Sequence, residues 1–195
     1  MKAKMIIMTF LCISLAGNFA HAQMQKLNID KVHSNIYFDV RHIFSLVRGS
    51  FDDFSGTILV DPEEPLKAQV EFTVQVDSIN TNIEKRDNHL RSEDFFASEK
   101  YPEMTFKSTG IKRVEGDFYV LEGYLTVKDV TQKIDVPFKY QGRSENPMKK
   151  GERVDGFEGE FTIDRLDYHV GSGKYAVMGL VSKAVRIIVT LETLD

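Results

Sequence analysis

Cysteine is almost absent from this 195-residue chain: its one copy is Cys12. That residue lies in an apolar run from Met5 to Ala16, preceded by Lys2 and Lys4. Ala20-His21-Ala22 then gives the small-x-small pattern that signal peptidase cuts. The reading is a cleavable signal peptide over residues 1–22, with cleavage after Ala22 and the periplasm as the destination. The mature chain then has no thiol, which excludes disulfides, thiolate metal sites and a cysteine nucleophile. Long hydrophobic runs are also missing. A membrane helix needs roughly 20 apolar residues, so neither an uncleaved anchor nor stable membrane insertion is expected. Leu15-Ala16-Gly17 is followed by Asn18 rather than by the cysteine of a lipoprotein signal.

There is no excess of basic residues. Removing Lys2 and Lys4 from the 25 basic residues leaves 23 against 29 acidic ones, a formal charge of −6. An acidic domain without a basic stripe is a poor partner for nucleic acid or for anionic membrane surfaces.

Catalytic signatures are missing as well. His33, His42, His89 and His169 remain after cleavage, but none has the His-x-x-x-His or His-Glu-x-x-His spacing of a zinc site. No G-x-S-x-G nucleophile elbow occurs. Gly171-Ser172-Gly173-Lys174 lacks the upstream glycine and following Ser or Thr of a phosphate loop, and reads as a flexible loop. No cofactor, metal or catalytic residue is called for.

What is present is alternation. Ile36, Phe38 and Val40 are separated by Tyr37 and Asp39; Val70, Phe72, Val74 and Val76 by Glu71, Thr73 and Gln75. The same period of two recurs at Met104 and Phe106, from Tyr119 to Val127, from Ile134 to Tyr140, from Phe157 to Ile163 and from Val185 to Leu191. Period two marks strands with one buried face. Gly49-Ser50, Asp61-Pro62, Glu115-Gly116-Asp117 and Lys128-Asp129 supply the turns. About eight strands with little helix predict one all-β domain over residues 23–195, either an antiparallel sandwich or a closed barrel. Arg86 to Arg91 reads as a short helix, Ser144 to Gly151 as an exposed hairpin loop, and 165–183 resists assignment. An eight-stranded barrel is just wide enough to be filled by side chains or to hold one small ligand. Periodicity alone does not separate a packed core, the plainer reading, from an apolar cavity lined by phenylalanines.

One connection stands out. Arg86 to Phe106 reads RDNHLRSEDFFASEKYPEMTF, far longer than the usual 4–6 residues between sheet elements. It has the makings of a lid.

These residues carry a resemblance. DKVHSNIYFDVRH from Asp30 to His42, GSFDDFSG from Gly49 to Gly56, the RDxHLxSxDFF…YPxxxF string from Arg86 to Phe106, Gly123-x-Leu125-Thr126 and Arg165-x-Asp167 together resemble the YceI-like family. The chain departs from that pattern at Asp129, where many relatives carry a turn glycine, and at Tyr168-His169, where an aromatic followed by glycine is expected. The resemblance implies a lipocalin-like extended antiparallel β-barrel of about eight strands with a short helical lid. It also implies an exported lipid-binding function, with a polyisoprenoid, quinone-like or fatty-acyl amphiphile in the interior for transport, storage or stress protection. On that footing the apolar wall would be Phe38, Val40, Phe72, Val74, Phe106, Leu121, Phe138 and Phe161. His42, Arg86, Asp87, His89 and Arg165 would hold a polar or anionic headgroup, since arginine forks suit carboxylate and phosphate.

Each polar candidate also has a structural reading. Arg86 and Asp87 can pair with lid backbone or with each other, His42 can be a hydrogen-bonded core residue, and Arg165 can bridge to Asp167. His33 with Ser34 reads as a turn cap, and Tyr101-Pro102 as a rigid turn into the next strand. The rival functions are a packed-core structural, stress or interaction protein and, further off, a metal-dependent enzyme. A homodimer through an exposed edge is compatible with such a barrel.

Overall fold

The structure is a computed structural model that describes residues 24–195. The leader expected at residues 1–22 lies outside the described residues.

Among the described residues eleven strands run β1 (Gln25–Ile29), β2 (Asn35–His42), β3 (Ser45–Phe51), β4 (Phe54–Val60), β5 (Gln69–Gln75), β6 (Ile79–Asn80), β7 (Glu103–Glu115), β8 (Phe118–Val127), β9 (Val130–Glu145), β10 (Arg153–Asp164) and β11 (Val181–Leu194). Every pairing is antiparallel. The ring β1-β4-β5-β7-β8-β9-β10-β11 closes through Asn28 and Ile29 of β1 on Leu194 and Thr193 of β11. It is an all-β closed barrel of eight antiparallel strands. β2, β3 and β6 continue the wall where the ends of β11 outrun β1. At about 3.3 Å per residue, strands of 12 to 16 residues reach roughly 40–50 Å, so the barrel is elongated.

The lid segment forms α1 (Glu84–Arg91), beginning two residues before the expected Arg86. The unassigned segment becomes a 3₁₀ turn (Arg165–Tyr168), a short helix α2 (Gly173–Val177) and the start of β11. Asp164 caps the 3₁₀ turn by accepting the Leu166 N–H at 2.9 Å. Gly173 and Lys174 belong to α2, which is five residues long.

Two details depart from simple alternation. Asp39 sits on the outer face of β2 yet is only 2% exposed, because Arg48 grips its carboxylate with two bonds of 2.8 Å and Arg186 adds one at 3.3 Å. Those arginines, Arg48 foremost, hold its pKa below the ordinary carboxylate value. Val76 leaves the strand pattern for a 3₁₀ turn and is buried there, away from the barrel interior. The turn between β1 and β2 is set by Asp30, whose side chain accepts the Val32 N–H at 2.9 Å and meets His33 Nδ1 at 2.8 Å. Ser34 then ties this turn to β11 by accepting the Glu192 N–H at 3.0 Å.

Candidate functional site: an apolar lumen with two polar ends

The barrel is hollow. A lumen of about 1120 Å³ runs through it, larger than most small-molecule pockets at about 300–1,000 Å³. All eight wall candidates, Phe38, Val40, Phe72, Val74, Phe106, Leu121, Phe138 and Phe161, line it. Apart from Val76, every inward residue read from the alternation does so too.

The space exists because of how the phenylalanines lie. Phe38 faces Gly49 across β2 and β3, and Phe72 faces Gly56 across β4 and β5. A Cβ at Gly49 would overlap the Phe38 ring; at Gly56 it would meet Phe72 at 2.9 Å, and at Gly123 it would overlap Phe106. Each ring therefore lies along the wall, over a glycine of the next strand, instead of projecting across the barrel. Closer-packed strands without those glycines would push the rings inward and fill the core.

The two ends differ. At the lid end the lining is made by Leu90, Phe95, Phe96, Arg165, Tyr168 and Val170, all buried or half-buried. Phe95, Val127, Tyr168 and Val170 form a continuous apolar cluster there. At the other end the lining includes the exposed Glu63, Glu64, Leu66, Lys67 and Arg113, so the lumen opens to solvent on that side.

The charged residues of the lid string frame the lid. Arg86 donates from Nε to the Thr81 hydroxyl at 2.7 Å and from Nη2 to its carbonyl at 2.8 Å. Asp87, 6% exposed, accepts the Thr81 N–H at 2.9 Å and its hydroxyl. Arg91 reaches the Asp77 and Ile79 carbonyls at 3.0 and 3.1 Å. His89 is exposed, 3.2 Å from Asp94 and edge-on to the Phe95 ring. His42 is exposed at the end of β2. None of His42, Arg86, Asp87 and His89 lines the lumen; the string's Leu90, Phe95 and Phe96 do.

Arg165 is the exception among the five headgroup candidates. It is 5% exposed, lines the lumen, and donates to the Ser182 carbonyl at 2.9 Å and the Val170 carbonyl at 2.7 Å. Among the described residues it has no carboxylate within ion-pair distance, Asp167 included, and its Nη2 has no acceptor. Burial pulls its pKa below the ordinary guanidinium value. Tyr168, 2% exposed and also on the lumen, has a hydroxyl without a partner among the described residues, and burial raises its pKa. Buried polar groups are ordinarily paired. Both orphaned donors belong to residues that line the closed end of the cavity.

At the open end lies a cluster of which the alternation singled out only Tyr140. Asp155, 3% exposed, takes three bonds from Arg143, at 2.9 and 3.0 Å from Nε and 2.7 Å from Nη2, and a fourth from the Tyr140 hydroxyl at 2.6 Å. All three line the lumen. Burial first, and then the bond to Asp155, pushes the Tyr140 pKa up to about 12. Asp155 shares the parity of Phe157 and Phe161, so continuing that strand by two residues finds it. Arg143 could not be found this way: the register shifts between Gly156 and Phe157, opposite Gly142 at φ 115°, and this bulge flips the facing of β9 beyond it.

The histidines do not converge. Among the described residues the one grouping of metal-capable donors is Asp30, His33 and Glu192, within 4.8 Å of one another at the β1–β2 turn and off the lumen.

A closed antiparallel barrel around an elongated apolar lumen, with a few polar groups at each end, defines the class of small barrels that hold an apolar guest. The YceI-like domain matches residues 27–193, and the chain belongs to that family. Protein YceI of Escherichia coli O157:H7 is 32% identical over 193 residues, 98% of this chain and 97% of the relative. The crystal structure of the Campylobacter jejuni YceI protein has a TM-score of 0.70 at 27% identity, covering 78% of this chain and 86% of that one. A polyisoprenoid binding domain from Saccharophagus degradans has the same fold, with a TM-score of 0.63 at 15% identity over 88% of this chain and 98% of that domain.

Proposed function

We propose that the protein is an exported carrier of a long-chain amphiphile, of the polyisoprenoid, quinone-like or fatty-acyl kind, with no chemistry of its own. The observation that carries this reading is the open lumen of about 1120 Å³, apolar along its length and polar at its ends. The polyisoprenoid binding domain that shares the fold supports it. A tail of about 30 heavy atoms at about 0.3 kcal/mol per atom gains about 9 kcal/mol, enough for sub-micromolar binding. Such a tail has little solubility in water, so transport, storage or protection of the lipid all call for a soluble container. Export to the periplasm follows from the leader over residues 1–22.

In this reading the eight wall residues hold the tail, and Arg165 with Tyr168 receives a carboxylate, phosphate or quinone oxygen at the lid end. Arg86 and Asp87 fix the lid. The test is retention of lipids with the same chain and different heads. Arg165→Met is expected to weaken an anionic-headed lipid by about tenfold or more, the scale of one charge-assisted bond, and to spare a neutral one. Equal loss of both would remove the headgroup role from Arg165. Folded variants carrying a charge at Phe72 and Phe138 should retain neither lipid; unchanged binding would contradict the wall assignment.

A further inference from the structure

We propose that the lid end of the barrel carries a docking surface for an anionic phospholipid bilayer. Two turns meet there. The Ile43 N–H, at the tip between β2 and β3, donates to the Leu180 carbonyl at 3.0 Å, just after α2. Next to it His42 pairs with Val181, and the Arg41 N–H donates to the Ser182 hydroxyl at 3.2 Å. These adjoining turns expose Phe44 at 93%, Val177 at 89%, Met178 at 58%, Leu46 at 55% and Ile43 at 45%. Single exposed apolar residues are ordinary, but five on two touching turns form a patch.

Charge identifies the partner. Residues 40–51 and 168–191 contain no aspartate or glutamate, in a chain where acidic residues outnumber basic ones. They carry Arg41, Arg48, Lys174, Lys183 and Arg186. Arg48 and Arg186 are paired with Asp39 and Glu160, whereas Arg41, Lys174 and Lys183 form no ion pair among the described residues. A whole-chain balance hides this local set. Exposed apolar side chains rimmed by cations suit a bilayer whose acyl boundary takes the former and whose anionic headgroups take the latter. The same rim disfavours a second copy of this chain, since like charges would face one another.

The surface is close to the cargo space. Tyr175 of α2 stacks on Phe95, with ring centroids 5.9 Å apart and planes at 8°, and Phe95 lines the lumen. Docking would place these two turns, rather than the lid with its exposed Glu84, Glu93, Asp94 and Glu99, against the leaflet in which a long-chain lipid resides. The proposal goes beyond the carrier reading and stands without it, since nothing in it depends on what fills the lumen.

The test is flotation of the mature protein with vesicles of phosphatidylcholine alone or mixed with phosphatidylglycerol. Retention on the anionic vesicles only is expected, with release near 1 M salt, where the Debye length is about 3 Å. Phe44→Ser with Val177→Ser, or Lys174→Glu with Lys183→Glu, should each lower retention by about tenfold or more. Phe118→Ser with Met148→Ser, at the open end, should leave it unchanged. All these positions are exposed, and circular dichroism verifies the fold. Absence of anionic-vesicle binding, retention that survives both lid-end pairs, or a soluble dimer that Phe44→Ser dissociates would overturn the proposal. Lipid extraction from the lumen is a separate measurement, so a failed carrier reading would leave this result intact.

Discussion

His169 Nδ1 lies 3.1 Å from the Asp129 carboxylate, across 40 residues of chain. Glycine is the residue expected from the sequence at or beside these two positions, and the structure joins them. His169 ends the 3₁₀ turn in the left-handed region at φ 56°, which costs a non-glycine residue roughly 1–2 kcal/mol. At the other site the left-handed residue is Lys128, at φ 55°, and not Asp129, so the two-residue turn is not type I′. His169→Gly should therefore melt at the same or a higher temperature, because a pair this exposed contributes little. The bond from His169 is the main cause holding the Asp129 pKa down. A depressed carboxylate stabilises the fold above its ordinary pKa and loses that contribution as pH falls through the folded value. His169→Gly should thus show a smaller loss between pH 4 and 3 than the parent.

Lys128 holds the closed end together. Its Nζ donates to the Phe95 carbonyl at 2.8 Å and to the His169 carbonyl at 2.7 Å, joining the lid, the β8–β9 turn and the 165–170 loop. Lys128→Met should cost about 1.5–3 kcal/mol, the range for hydrogen bonds to a charged donor. Amide exchange should quicken in residues 92–101 and 165–171 and stay unchanged in β8.

Tyr140 gives the open end an alkaline signature. With a folded pKa of about 12 against an ordinary value of 10.0, its contribution is complete below pH 10 and is lost as pH rises toward 12. Two pK units correspond to at most about 3 kcal/mol, less after solvent screening. Alkaline denaturation should follow this loss in the parent and lack it in Tyr140→Phe. Asp155→Ala should cost about 1–3 kcal/mol, since it leaves the Tyr140 hydroxyl without its acceptor, while the exposed Arg143 keeps Asp195 at 3.9 Å.

The glycines under the phenylalanines should be intolerant. Gly123→Ala places a methyl into the Phe106 ring and beside the Lys107 carbonyl at 2.5 Å, so ring and strand must both give way. Overpacking of this kind costs about 1–3 kcal/mol. A smaller lumen should also lower the longest chain length retained, measured with a series of acyl lipids.

The barrel was legible because period two assigns a face to each residue, and long strands repeat that assignment many times. Phe38, Phe72, Phe106 and Phe138 came out on the lumen for this reason. Whether the lumen is empty was not legible, since it depends on which glycine lies across from each ring, a matter of register between strands. Arg143 was hidden by one bulge at Gly142. Asp39 reads as solvated from its position, and only the convergence of Arg48 and Arg186 from two other strands buries it. In the lid string the charged residues drew attention, but Arg86, Asp87 and Arg91 turn inward on Thr81 and Ile79 to hold the lid, while Phe95 and Phe96 reach the cavity. Arg165 was singled out through the family pattern; its place on the lumen and its lack of a carboxylate partner among the described residues are visible only in three dimensions.

The central claim is that the lumen holds a long-chain lipid, and native mass spectrometry of the mature protein purified without detergent tests it most directly. The predicted result is a stoichiometric added mass that organic extraction releases as an isoprenoid, quinone-like or acyl lipid. A clean apo mass, unchanged after incubation with a panel of such lipids, would contradict the carrier account.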